Sequence, residues 1–360
     1  MEFHENSNST NSSSTSFSLY SDNILIFTVV FSIQFVFAVV ENLLIVWIVY
    51  KDKRLKTTTN YLVANMAVSD VLAAVCVFPL RLIWINFDKK WLVGGIIGQL
   101  LCKLSNFTAE LSLTVSVYSC FFIAIDRYYA VAHPIKKPFQ PKIKFIIALT
   151  WILSSFFKAP IFYFYDIIVE DNQKICLVSS NISSSFSVYF YVNNVLTFGV
   201  TIIVVTIIYV LIVYKLHKHK VPGFQNNSTI RRKELQNRKV LKLSVTIVAL
   251  FYISWGSRSI IAILNDTGNF DHLSQEANFN LMSISFFMLY MSLVYNFFVY
   301  LFFNSVYRQN FKDMITKCCF SDTISNIMEY SLRQSSSGNR EKVSESGVVQ
   351  MKNIQERCSI

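Results

Sequence analysis

The chain is poor in residues that interrupt helices, since its 360 residues include nine Gly and six Pro. Charged residues are also scarce, at 15% of the sequence. Residues 1–22 contain no Lys or Arg and no apolar core, so they lack the parts of a cleavable signal peptide. We therefore expect the first long apolar segment of the chain to act as its own targeting signal.

Groups that could carry out catalysis or bind a metal are also sparse. The seven Cys residues form no metal-binding pattern, so no metal is predicted. The five His residues lie outside the long apolar segments, and Asp70 is the one Asp at mid-depth in such a segment. An intramembrane enzyme would need a catalytic pair such as Ser/His or two Asp. We predict that the protein is not an enzyme.

Hydrophobic residues, by contrast, make up 53% of the chain and give it a mean hydropathy of +0.41. They fall in long runs separated by short polar stretches, which is typical of membrane helices. The net charge of +11 does not indicate nucleic-acid binding, because the basic residues flank the apolar runs, where lipid headgroups lie. We predict an all-α membrane protein that contacts membrane lipid and no nucleic acid.

Seven segments are long and apolar enough to cross a bilayer, which takes about 20 residues in a helix. We predict a seven-transmembrane helix bundle over residues 24–303 and name the segments helix one to helix seven. The sequence has no internal repeat and no Gly- or Pro-interrupted helix pair, which disfavours a transporter or channel. The predicted ranges are 24–50, 60–85, 99–131, 144–165, 187–214, 240–264 and 280–303.

The positions of Lys and Arg predict the orientation of the bundle. Basic residues follow helices one, three and five. The stretch between helices six and seven contains Asp266, Asp271 and Glu276 but no Lys or Arg. We therefore predict a multi-pass protein of the plasma membrane, with an extracellular N-terminal tail over residues 1–23 and a cytoplasmic C-terminus.

Glycosylation sequons give a partly independent indication of the same orientation. Four of them fall on the predicted outer side and are predicted glycosylation sites. Two of the four lie in the N-terminal tail, residues 1–23. Asn226 and Asn227 also fit the pattern but lie on the predicted inner side, away from the transferase. The four outer residues are Asn8, Asn11, Asn181 and Asn265.

Two cysteines lie on the predicted outer side of the bundle. Cys102 opens helix three, and Cys176 lies in the stretch before helix five. That side is oxidising, so a disulfide between them would persist. A bridge would hold the second outer loop over the end of the bundle, whereas two unpaired thiols would leave the loop untethered.

A tripeptide, Asp126-Arg127-Tyr128, stands at the cytoplasmic end of helix three. In this position it resembles the DRY signature of rhodopsin-like (class A) G-protein-coupled receptors, and Cys102 lies at the family's spacing from Arg127. The resemblance covers about residues 24–320. Further matches lie in the other helices and in the first outer loop: Asn42, Asn65, Asp70, Trp91, Trp151, Tyr209, Phe251, Trp255, Asn296 and Tyr300.

The resemblance implies a Cys102–Cys176 disulfide and coupling to a heterotrimeric G protein. It also implies a polar network that holds an allosteric sodium ion, with no other cofactor. The alternative for Asp70 is a protonated, hydrogen-bonded core residue. The implied coupling residues are Asp126, Arg127, Tyr128, Tyr209, Trp255, Asn296 and Tyr300, and the implied sodium network is Asp70, Ser116 and Asn296.

The chain departs from the family pattern in four of its helices. The family usually has proline in helices five, six and seven, where this chain has Thr201, Ser257 and Phe297. Proline removes a backbone hydrogen bond and bends a helix, so we expect straighter helices five to seven and altered energetics of activation. Helix one has Glu41 where the family usually has Gly, and we interpret Glu41 as a protonated packing contact.

The predicted ligand-contacting residues lie toward the outer end of the bundle. A retinal Schiff base is excluded, because Tyr290 stands where visual pigments have Lys. An amine ligand is disfavoured, because the matching position in helix three is Ala109, and the neighbouring Glu110 is turned by about 100° around the helix. The full set of predicted residues is Arg81, Ala109, Glu110, Trp255, Arg258 and Tyr290.

The mixture of charged and aromatic residues at this end suits a peptide, and the sequence resembles neuropeptide receptors in particular. We predict that an extracellular neuropeptide binds and that a G protein is activated. The alternatives are a lipid, acidic or amine small ligand, or a receptor-like protein that signals without ligand or does not couple.

Residues 304–320 resemble the short amphipathic eighth helix that lies on the membrane surface, where Cys318 and Cys319 are candidates for palmitoylation. Residues 321–360 are polar, and we predict a disordered cytoplasmic tail. Phosphorylation of this tail by a receptor kinase would recruit arrestin. The candidate serines are Ser335, Ser336, Ser337, Ser344 and Ser346.

Overall fold

A computed structural model describes residues 10–87, 90–133, 139–170, 173–218 and 228–316. The chain forms two compact units, Met1–Phe303 and Asn304–Ile360. Six helices are long and apolar enough to cross a membrane, and the two parts of a bent pair make a seventh when taken as one span. The predicted all-α membrane fold is therefore confirmed.

The first four helices are single segments, while helices five and seven are composite. Helices one to four are Thr10–Lys51, Thr58–Asn86, Gly95–Ala132 and Ile143–Lys158, the last followed by a short turn of helix at Ile161–Phe164. Helix five consists of Ser183–Asn194, the π segment Val195–Gly199 and Val200–Lys218. Helix six is the single segment Ser228–Asp266. Helix seven consists of Gln275–Tyr290, the 3-10 turn Met291–Leu293 and Tyr295–Phe303.

Helix one shows why these apolar runs suit a bilayer. Val29, Ile33, Val36 and Val40 recur every three or four residues, so they lie on one face, and each is about half exposed. Such a face would be costly in water but is compatible with lipid. Helix one begins at Thr10, earlier than the predicted residue 24, so part of the predicted tail is helical.

Helix three occupies the centre of the bundle. It packs against helices two, four, five and six. In its most apolar stretch 67% of the residues are buried, whereas the corresponding share in helix one is 17%. Small hydroxyl residues allow close approach of helices in a membrane. Those buried on helix three include Ser105, Thr108, Ser112, Thr114, Ser116 and Ser119.

A β-hairpin between helices four and five covers one end of the bundle. Strands β1 (Tyr165–Glu170) and β2 (Gln173–Val178) pair antiparallel. The predicted Cys102–Cys176 disulfide is present, with the two Cα atoms 5.8 Å apart, and it ties β2 to the start of helix three. The backbone N–H of Trp91 donates to the carbonyl of Lys174 at 2.6 Å, which links the first outer loop to the same strand.

Helices five and seven are irregular although they lack the family's prolines, and the expectation that they are straighter than those of the family stays a prediction. Helix five contains the π segment, in which the N–H of Val200 bonds to the carbonyl of Val195. Helix seven bends by 44° beside its 3-10 turn. Side chains satisfy the carbonyls at this bend: Asn42 of helix one donates to the Leu293 carbonyl at 2.7 Å, and Asn296 donates to that of Ser292 at 3.4 Å. One partner, Asn42, comes from another helix, and the other, Asn296, comes from helix seven itself.

In the second unit, residues 305–316 are helical. The position of this helix on the membrane surface stays a prediction. Cys318, Cys319 and the tail at 321–360 lie outside the described residues.

Candidate functional site

A cavity of about 430 Å³ lies between the hairpin and the middle of the bundle. Tyr165 and Cys176 line it on the hairpin side, and Trp255 and Ser292 line it at depth. Helices two to seven all contribute to its wall. The structure brings all six residues of the predicted ligand-contacting set to this cavity: Arg81, Ala109, Glu110, Trp255, Arg258 and Tyr290.

Arg81 is a buried cation in the wall, 7% exposed. Its guanidinium carbon lies 4.2 Å from the ring centroid of Trp84 and 4.1 Å from that of Phe286, both of which are cation–π contacts. Its Nε and Nη2 atoms are buried, and neither has a hydrogen-bond partner among the described residues.

Arg258 approaches the same ring from helix six. Its guanidinium carbon lies 4.4 Å from the Phe286 centroid, and its buried Nη1 has no hydrogen-bond partner in the described part of the chain. Tyr290, one turn beyond Phe286 on helix seven, packs against Phe78 with centroids 5.1 Å apart. Two cations therefore share one aromatic residue at this wall.

A third cation of the cavity is paired. Lys158 Nζ lies 2.9 Å from Glu110 Oε2, and the Lys158 side chain is 3% exposed. The sequence places both residues near the outer end of the bundle but does not indicate that they pair, because they lie 48 residues apart on different helices. Glu110 thus faces helix four, where it neutralises Lys158.

Trp255, which lines the cavity, belongs to an aromatic stack. Phe198, within the π segment of helix five, stacks on Trp255 with centroids 3.9 Å apart and on Phe251 at 6.1 Å. Lys158 Nζ lies 5.8 Å from the Phe198 centroid, so the ion pair and the stack adjoin. Phe198 was not predicted as a site residue, because one Phe in an apolar helix of a Phe-rich chain gives no signal.

Tyr165 forms part of the roof. Its ring packs edge-on against Phe186, with centroids 5.7 Å apart. Burial raises the pKa of Tyr165 to about 12, and the nearby Glu110 carboxylate acts in the same direction. The phenol therefore stays protonated at neutral pH and can donate a hydrogen bond into the cavity.

Below the cavity, Asp70 joins helices two, three and seven. Its oxygens accept from the hydroxyls of Ser112 at 3.2 Å and Ser116 at 3.4 Å, and from Asn296 Nδ2 at 3.1 Å. Ser112 is an addition to the predicted network. Carboxylate and hydroxyl oxygens are suitable ligands for a hard cation. Within the described residues, no group of three or more His, Cys, Asp or Glu could hold a metal ion.

A second polar network joins helices two, three and four. Trp151 Nε1 donates to Asn65 Oδ1 at 2.8 Å. Asn65 Nδ2 in turn lies 3.0 Å from the Ser119 hydroxyl and 3.2 Å from that of Thr150. Because these groups are buried and mutually satisfied, they fix the spacing of the three helices.

Two of the predicted coupling residues, Trp255 and Asn296, lie at the cavity and in the Asp70 network, and the other five lie toward the end opposite the hairpin. Arg127 pairs with Asp126, which also accepts from the Thr59 hydroxyl at 3.0 Å. The ring of Tyr128 lies 5.0 Å from Lys215 Nζ. Tyr209 is 9% exposed and Tyr300 is 1% exposed, so both are buried in the bundle.

Two of the four predicted glycosylation sites can be located fully. Asn181 lies in the 3-10 turn after the hairpin, and Asn265 lies in the last turn of helix six; both are exposed. Asn11 lies in helix one, with only its backbone described, and Asn8 lies outside the described residues.

Comparison with known proteins places the chain among membrane receptors. Residues 41–300 match the model of a family described as seven-transmembrane receptors of the rhodopsin family. The chain is 26% identical over 308 residues to the tachykinin-like peptides receptor 86C of Drosophila melanogaster, covering 82% of this chain and 59% of that protein. It therefore spans less than two thirds of the length of that relative.

Two further relatives are similar over most of their length. The substance-P receptor of Aquarana catesbeiana is 26% identical over 303 residues, which is 82% of this chain and 72% of the relative. The QRFP-like peptide receptor of Branchiostoma floridae is 26% identical over 300 residues, which is 80% of this chain and 76% of the relative.

Proposed function

Because this chain belongs to the rhodopsin family of seven-transmembrane receptors, we propose that it binds an extracellular peptide and activates a heterotrimeric G protein. The observation that carries the proposal is the cavity beneath the disulfide-tethered hairpin, at the end of the bundle opposite the Asp126–Arg127 pair. The receptor itself would carry out no bond chemistry.

A peptide suits both the cavity and the relatives. All three relatives named above are peptide receptors by name. A volume of about 430 Å³ is too small for a whole peptide, but it suits a terminal segment of one. The remainder of the peptide would then lie along the hairpin and the outer ends of the helices.

The mechanism we propose is a shift of population between a closed and an open bundle. A ligand that enters the cavity would contact the stacked rings of Phe198 and Trp255. A change in how these rings stack would move helices five and six relative to each other. Opening at the other end would release Arg127 from Asp126 and present it to the G protein. A sodium ion near Asp70 would favour the closed state by holding helices two, three and seven together.

We also propose that the protein lies in the plasma membrane with its N-terminus outside. The exposed sequons Asn181 and Asn265 and the disulfide all lie at the hairpin end, which supports this orientation. The basic cytoplasmic segments would contact anionic lipid. A receptor kinase and arrestin are the proposed partners of the serine-rich tail.

The proposal is tested by G-protein activation in cells that express the full chain, screened with a neuropeptide library. We expect at least one peptide to activate the wild type and the Arg127→Ala variant to lose the response. Lys144→Ala is the matched control, because it also removes a cation from the predicted cytoplasmic side but lies exposed at the start of helix four.

Other outcomes would contradict the proposal. Steady activity that no peptide changes would indicate ligand-independent signalling. Silence of a receptor that is confirmed at the cell surface would indicate another ligand class or a protein that does not couple. A peptide response that survives Arg127→Ala would exclude the proposed role of Arg127.

A further inference from the structure

We infer that Arg81 and Arg258, on either side of the cavity at Phe286, form a binding site for a carboxylate group of the ligand. The inference deepens the proposed function, on which it rests, by naming the chemical group that enters the cavity. Such a group would be the C-terminal carboxylate of a peptide or the headgroup of a fatty acid.

The first step in the argument is the shared position of the two guanidinium groups. Both lie against the ring of Phe286, at 4.1 Å for Arg81 and 4.4 Å for Arg258, and both line the cavity. They come from helices two and six, which are far apart in sequence. Both line one cavity, and we propose that a single ligand group there contacts both.

The second step is the state of their hydrogen-bond donors. Arg81 is more than nine-tenths buried, yet its Nε and Nη2 atoms have no hydrogen-bond partner among the described residues, and the same holds for Arg258 Nη1. Burying a charged donor without a partner is costly. Cation–π contacts with Trp84 and Phe286 offset part of this cost but use no N–H group.

The third step is the charge of the cavity wall. Its described lining contains Lys90, Arg81, Lys158 and Arg258 but a single carboxylate, Glu110. Glu110 is already paired with Lys158 at 2.9 Å. The two arginines and Lys90 are therefore left as excess positive charge, which attracts an anion and repels an amine.

The geometry of arginine favours a carboxylate among the anions. The guanidinium fork presents parallel N–H groups that match the two oxygens of a carboxylate. The surrounding wall is aromatic, with Trp84, Phe286 and Tyr290 close to the two cations. A carboxylate that carries an apolar or aromatic group satisfies both features, as does a peptide that ends in a hydrophobic residue with a free C-terminus.

The test uses the purified full-length protein in lipid nanodiscs and follows its thermal unfolding. The probes are N-acetyl-phenylalanine and its carboxamide, which differ only in the charged group, and sodium decanoate as a fatty acid. All are compared at equal ionic strength. A ligand that binds the folded state raises the unfolding temperature. We expect the free acid to raise it and the carboxamide to leave it unchanged.

Variants assign the effect to the two arginines. Arg81→Gln and Arg258→Gln should each weaken the apparent affinity for the free acid by about tenfold or more, since each removes charge-assisted hydrogen bonds. Arg81→Lys keeps the positive charge but loses the guanidinium fork, so its affinity for the free acid should lie between those of the wild type and Arg81→Gln. Lys103→Gln removes a cation of helix three that does not line the cavity and should have no effect. Because Arg81 is buried, Arg258→Gln keeps the test valid if Arg81→Gln folds poorly.

Each outcome is decisive. Equal binding of acid and carboxamide, or binding that neither arginine variant weakens, would overturn the site. Stronger binding of decanoate than of N-acetyl-phenylalanine would support the site and assign it to a lipid carboxylate, and the reverse would assign it to a peptide C-terminus. G-protein activation is measured separately, so a carboxylate site without activation contradicts only the proposed function. Activation by peptides that do not need the arginines contradicts only the site.

Discussion

At the scale of single residues, two buried carboxylates illustrate how partners decide a role. Asp70 is 2% exposed and Glu41 is 3% exposed. Three donors surround the Asp70 oxygens, whereas neither oxygen of Glu41 has a hydrogen-bond partner among the described residues. An unpaired charge at this depth is costly, so Glu41 suits the neutral form, whereas the three donors around Asp70 lower the cost of a charged form.

The first prediction concerns sodium. The purified wild type should unfold at a higher temperature in sodium chloride than in choline chloride, because ion binding at Asp70 stabilises the folded state. The gain should be about 1 kcal/mol when sodium is a few-fold above its Kd. Asp70→Asn should abolish the difference.

Glu41→Gln is the matched control for that measurement, since it also replaces a buried carboxyl group by an amide. We expect it to preserve the sodium effect. Loss of the effect in Glu41→Gln, with its retention in Asp70→Asn, would show that the ion lies at the other carboxylate.

At the scale of elements, two of the three helices that lack the family's prolines are still irregular. Helix six runs unbroken over Ser228–Asp266, but helix five has a π segment and helix seven bends by 44°. The carbonyl of Leu293 at the bend is satisfied by Asn42, from a helix 251 residues earlier in the chain. A tertiary contact therefore satisfies a carbonyl at the bend in helix seven, in a helix that has no proline.

The second prediction follows from this difference between helices five and six. Ser257→Pro, in the unbroken helix six, should destabilise the protein by about 3 kcal/mol, because proline removes a backbone hydrogen bond and clashes with the preceding turn. Thr201→Pro should cost less, because position 201 lies two residues after the π segment of helix five. Thermal unfolding of the two purified variants provides the comparison.

Ser257→Ala and Thr201→Ala are the controls, since they remove the hydroxyl groups without changing the backbone. If Thr201→Pro proves the more damaging substitution relative to its alanine control, the π segment does not accommodate proline. The π segment would then not explain a smaller cost of proline in helix five.

At the scale of the whole molecule, the bundle has two distinct ends. The hairpin and the cavity lie toward one end, and the Asp126–Arg127 ion pair lies at the other. Helix three runs between them and contacts helices two, four, five and six. Its hydroxyl groups reach Asp70 and Asn65, so it joins both buried polar networks. A rearrangement of helix three would therefore change side-chain contacts at both ends of the bundle.

The third prediction tests the orientation of these ends. In cells, Asn181→Gln and Asn265→Gln should each reduce the mass lost on digestion with N-glycosidase, because both residues lie exposed at the hairpin end. Asn226→Gln and Asn227→Gln should leave the mass loss unchanged. Gel mobility before and after digestion measures the effect. Sugar on Asn226 or Asn227 would reverse the proposed topology.

The sequence by itself determines the number of crossings, their order and the places of the family markers. These features depend on local runs of apolar residues and on motifs within single helices, because a helix in lipid must satisfy its own backbone. The Asp126-Arg127-Tyr128 tripeptide was accessible for the same reason, whereas the Cys102–Cys176 bridge was implied by the resemblance to the family. The β-hairpin was not, since six-residue strands in a loop give a weak signal.

The tertiary structure alone decides which polar groups meet. Glu110 and Lys158 lie 48 residues apart, and Asp70 and Ser112 lie 42 residues apart. Whether such side chains touch depends on how each helix is rotated about its axis and how far it is shifted along it, and the packing of all seven helices sets both. The shared contact of Arg81 and Arg258 with Phe286, which makes the cavity a candidate carboxylate site, is a property of that packing.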